Sequence, residues 1–77
     1  MTPAVRIRLH PRLGNRYEIL PEPVSFDGLR HAVREVAGPG MWDPQEGVKL
    51  ARAILDRDHI AAQEPAFRMG LAVELIA

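Results

Sequence analysis

His31 and Glu35 stand four residues apart, and Asp56 and His59 three apart, so on a helix each pair would offer two neighbouring metal ligands. Zinc takes three or four protein ligands, and one pair alone leaves a site open. As catalytic groups the histidines lack a nucleophile to activate. The chain has no cysteine, and its only serine, Ser25, sits where a helix cap is needed. Gly38-Pro39-Gly40 lacks the spacing and the Lys-Ser or Lys-Thr ending of a phosphate loop. No catalytic residue, metal ligand set or cofactor is therefore assigned, and both pairs read as polar neighbours on exposed helix faces.

The residues best suited to touch a partner are cationic. Arg6, Arg8, Arg12 and Arg16 fall in the first seventeen residues, which contain no acid. Arg6, Arg8 and His10 alternate with Val5, Ile7 and Leu9, so a strand here buries an aliphatic row and presents a basic one. Such a row can grip phosphates or a carboxylate-rich protein surface. The competing reading is a solvated face on which Arg8 pairs with Glu18 across a hairpin, an exposed pair contributing at most about 1 kcal/mol. Trp42, on a loop between two helices, is a further candidate anchor. A small core has the stronger claim on so large an apolar side chain.

The elements that must hold these residues follow from pattern. A strand over residues 4–10 ends at Pro11, and a second run, 16–20, follows a loop of about five residues containing Gly14-Asn15. Matching apolar faces places Leu9 opposite Tyr17, Ile7 opposite Ile19 and Arg8 opposite Glu18. Tyr17 then shares the buried side and the basic face carries no ring, which argues against base stacking. Pro21-Glu22-Pro23 stops the ladder. Ser25 caps a first helix whose Phe26, Leu29, Val33 and Val36 lie on one side, and Gly38-Pro39-Gly40 ends it. Asp43, Pro44 and Glu46 start a second helix. Its residues Val48, Leu50, Ala51, Ile54 and Leu55 span an arc of about 160°, wider than one neighbour requires, so the helix is expected to touch the sheet and either the first helix or another subunit. Its end falls between Asp56 and Gln63, where the Asp-Arg-Asp-His run is either its last turn or a break before a short extra turn.

From Phe67 to Leu75 the apolar residues occupy odd positions, which predicts a strand, although Phe67, Leu71 and Leu75 also fit helical spacing. The expected fold is a single α+β domain over residues 1–77, a two-layer sandwich in the order β-β-α-α-β. An N-terminal hairpin and a C-terminal strand carry two helices on one face. The open face would hold Arg6, Arg8, His10, Arg16, Glu18, Arg68 and Glu74.

Composition bounds the function. A chain of 77 residues buries only roughly 60% of its unfolded surface, and without cysteines or a metal cluster, association is the remaining way to add buried area. The net charge is zero, but six arginines oppose four acids in residues 1–40 and four bases oppose six acids in 41–77, giving +2 and −2. No stretch approaches the roughly 20 apolar residues of a membrane span, and no apolar leader core is present. A cytoplasmic location is expected. The expected function is a non-enzymatic interaction module docking on a protein partner or on itself as a homodimer, with Arg6, Arg8, Arg12, Arg16 and Trp42 as the contact residues. The alternative is a weak, salt-sensitive nucleic-acid backbone binder acting through the Arg-rich hairpin. Third comes an enzyme or accessory subunit that completes a site with a partner chain.

Overall fold

A computed structural model describes residues 3–10, 12–21 and 23–75. Pro11 and Glu22, expected to break strands, lie outside them. The described residues form β1 (Pro3–Leu9), β2 (Tyr17–Pro21), α1 (Phe26–Ala37), α2 (Pro44–Leu55), α3 (His59–Arg68) and β3 (Leu71–Leu75). The fold is α+β. The strands make one antiparallel sheet in the order β2-β1-β3. α1 packs on β1 and β2, α3 packs on β3, and α2 lies against both other helices.

The helix starts follow their caps. The Ser25 hydroxyl accepts from Gly28 N–H at 3.0 Å, and the Asp43 carboxylate accepts from Gln45 and Glu46 N–H at 2.9 and 3.2 Å. Each satisfies donors that the first helical turn leaves free. Gly38 ends α1 at φ 77°, where a side chain would be strained.

The helix layer differs from expectation by one element. α2 stops at Leu55, Arg57 turns the chain at φ 55°, and Asp58 caps α3 by accepting from Ala61 N–H at 3.0 Å. The strand expected over 67–75 is therefore confined to Leu71–Leu75, because Phe67 and Arg68 finish α3 and Gly70, at φ 68°, makes the turn into β3. Phe67, expected inside, is 77% exposed. α2 packs mainly on α1 and α3, so α3 stands where the sheet was the expected neighbour. Leu50 and Ile54 are buried within the chain, while Leu55, near one margin of the apolar arc of α2, is 43% exposed.

The core lies between the sheet and the helices. Val5 and Ile7 from β1 and Leu71 from β3 meet Leu29, Val33 and Val36 from α1, Leu50 and Ile54 from α2, and Ala62 and Ala66 from α3. Among the described side chains of β2, the partly buried Leu20 is the one that packs against this core. Among the described residues no helix is long and apolar enough to cross a membrane.

Candidate docking surface

The pairing of β1 with β2 decides what the open face presents. Arg8 lies opposite Tyr17, Ile7 opposite Glu18, Arg6 opposite Ile19 and Val5 opposite Leu20. This is one residue away from the register expected by matching apolar faces, and such a slip exchanges the two faces of a strand. Tyr17 and Ile19 consequently stand on the open face with Arg6 and Arg8, 50% and 45% exposed. Arg16 and Glu18 take the parity of the buried row. The expectation of a ring-free basic face is thereby corrected: the Arg6 guanidinium lies over the Tyr17 ring, 4.7 Å from its centre.

The reason lies in β2 itself. Its apolar residues occupy both parities, Tyr17 and Ile19 on one and Leu20 on the other. The aliphatic row of β1 is already covered by α1 and flanked by Leu71, Val73 and Leu75 across the other ladder, so Leu20 suffices on the inner side of β2. Sequence reasoning missed Tyr17 and Ile19 as surface residues. The signal available was Leu20, whose parity is incompatible with burying Tyr17 and Ile19 on the same side.

The four arginines do not form one row. Arg6 and Arg8 share the open face, both half-buried. Arg8 pairs with Glu74, Nε to Oε1 at 3.3 Å, rather than with Glu18. Arg16 reaches the end of α1: a Cβ added at Gly38 would sit 3.7 Å from its Nη1. There the guanidinium meets the partial negative charge of a helix C-terminus. Arg12 lines a groove of about 450 Å³ with Leu13, Met41 and Phe67. Trp42 is partly buried against the core, its ring lying on Gly47 of α2. Arg68 is not on the sheet at all. Its Nη2 and Nε donate to Glu64 Oε1 at 2.7 and 3.2 Å. That hydrogen bond, with the attraction between the charges, holds the Glu64 carboxyl below its ordinary value and raises the Arg68 guanidinium.

The histidine pairs stay on open helix faces. His31 Nε2 is 3.9 Å from Glu35 Oε1, with both side chains more than half exposed. Asp27 is exposed beside them, so this trio lines no cleft. His59 contacts Gln63 at 3.1 Å, while Asp56 ends α2. Among the described residues no group of three or more His, Asp and Glu side chains converges. A broader concavity of about 570 Å³ between α2 and α3 is lined by acids and bases that pair locally, Glu46 with Lys49 and Glu64 with Arg68.

Comparison of the chain with known proteins finds no matching family model, no matching curated protein and no matching solved structure.

Proposed function

We propose that this protein is a non-enzymatic interaction module whose docking surface is the open sheet face around Tyr17 and Ile19. The observation that carries the reading is the register of β2, which turns the more apolar side of that strand to solvent beside Arg6 and Arg8. Exposed apolar groups gathered on one face are characteristic of contact surfaces, and aromatic and arginine side chains are enriched where binding energy concentrates. The favoured partner is a protein surface that offers an aliphatic patch with a carboxylate nearby. Nucleic acid is the weaker reading, because Arg12 and Arg16 leave the face and Glu74 neutralises Arg8.

A photo-crosslinking residue placed at position 19 tests this in the cell. It is expected to trap a protein that the same probe at His31 does not trap. With the probe at 19, Tyr17→Ser should abolish capture while changing stability by no more than about 1 kcal/mol, the scale of its exposed contact with Arg6. Fluorescence anisotropy against duplex and single strands across a salt series separates the alternative. Salt-dependent nucleic-acid binding with no protein trapped at position 19 would overturn the proposal.

A further inference from the structure

The far edge of the sheet offers a second surface. The His10 N–H donates to the Gly70 carbonyl at 2.8 Å, and in an antiparallel ladder hydrogen-bonded pairs alternate with non-bonded ones. With Arg8 opposite Ala72 and Arg6 opposite Glu74, the backbone groups of Ala72 and Glu74 face β1. Those of Leu71, Val73 and Leu75 point away from the sheet. β3 is an edge strand with neither proline nor lysine, so it carries little of what normally blunts an edge. The other edge differs: the same alternation, set by the bond from Leu9 N–H to the Arg16 carbonyl, turns Tyr17 and Ile19 outward, and the register then shifts at Pro21, which has no donor.

A groove of about 390 Å³ runs along β3. Ala62, Gln63, Ala66 and Phe67 of α3 form one wall, and Arg8 and His10 form the other. A strand lying in it would pair with the outward groups of Leu71, Val73 and Leu75. Its residues opposite these three would point to the α3 side, where Gln63 and the Phe67 ring are exposed above the buried Ala62 and Ala66. The residue opposite Ala72 would lie on the open face, separated from Arg8 only by a methyl group. Two strand spacings, about 10 Å, can be spanned by an arginine and a glutamate extended toward each other. The residue opposite Glu74 would face a carboxylate that already pairs with Arg8 at 3.3 Å, so an acid and a base on the added strand would extend that pair into a network of four charges.

We infer that β3 and α3 form a docking groove for an extended segment of another protein, bound by antiparallel strand addition. The segment carries apolar residues at alternate positions, an acid opposite Ala72 and a base opposite Glu74. Main-chain pairing supplies affinity in this mode, and the alternating side chains supply selectivity. This groove lies on the opposite side of β1 from Tyr17 and Ile19 and shares with that surface only Arg8, which stands opposite Tyr17.

The test uses the full chain, isotope-labelled, and a capped peptide of alternating valines with lysine in the first gap and glutamate in the second. A peptide with the two charges exchanged is the control. At saturating peptide, amide exchange at Val73 and Leu75 is expected to slow about tenfold or more, with no change at Ile19. Exchanging the charges should weaken binding by up to about fivefold, the range of an exposed ion pair. Arg8→Gln, or Glu74→Gln should Arg8→Gln fold poorly, should shrink that difference. Equal binding of the two peptides, preference for the exchanged one, or no change at β3 with millimolar peptide overturns the inference. So does protection at Val73 that appears on raising protein concentration alone, which would assign the edge to a second copy.

Discussion

Trp42 and Gly47 illustrate how one residue's placement is set by its neighbour's lack of a side chain. The ring covers the site where a Cβ at position 47 would stand, so Gly47, inside α2, is fixed by packing rather than by backbone conformation. Alanine at that position favours a helix by about 1 kcal/mol, yet here it would push the ring off the core, at a cost of about 1–3 kcal/mol. Gly47→Ala is expected to destabilise the protein and shift tryptophan emission to the red. In a Trp42→Ala background the same substitution should stabilise it, since only the helix term remains. Such a change of sign in a double-mutant cycle would locate the ring on Gly47; destabilisation in both backgrounds would contradict this packing. It also bears on Trp42 as a contact residue, because a ring engaged with its own helix is not free to anchor a partner. Tyr17 and Ile19, with no core partner of their own, are better placed for that role.

At the scale of elements, α3 depends on the residue that precedes it. Asp58 supplies the cap, Arg57 before it is held at φ 55°, and Pro65 inside the helix cannot donate to the Ala61 carbonyl. Asp58→Ala should cost about 0.5–2 kcal/mol, read from urea unfolding, and should lower protection of α3 amides more than those of α1. Equal loss in both helices would count against a local cap. The same features explain what was legible in the sequence. α1 and α2 begin at Ser25 and Asp43, where side-chain acceptors meet the donors of a first turn, and both are strongly one-sided, so caps and spacing agreed. α3 has a weak apolar face and a proline near its end, which hid a helix behind the alternation of Phe67, Met69 and Leu71. The strand of the tail was legible only from Leu71 onward. β2 was legible as a strand but not in its register, because an edge strand with apolar residues on both sides leaves face matching undecided. The surface around Tyr17 followed from that register and could not be read before it.

The whole molecule is organised around a core to which β1, β3 and all three helices bring buried side chains. Leu50 lies at its centre, where α2 meets α1 and α3, and truncating such a leucine costs about 2–5 kcal/mol. For a domain of this length that is a large part of a total on the order of 5 kcal/mol. β2 is held mainly by its ladder to β1 and by Leu20, so it should open without the rest unfolding, as weakly packed segments do. Native-state hydrogen exchange can separate the two events. The amides of Glu18 and Leu20 face β1 and report the opening of β2, whereas those of Arg6 and Arg8 face β3 and report loss of the core. Leu50→Ala is expected to lower protection at Arg6 and Arg8 by its full cost while leaving Glu18 and Leu20 unchanged. If all four amides fell together, β2 would belong to the global unit, and the surface carrying Tyr17 would be as rigid as the core. With β2 opening locally, that surface sits on the strand most free to adjust to a partner, while the β3 edge is presented by the part of the sheet that the helices hold in place.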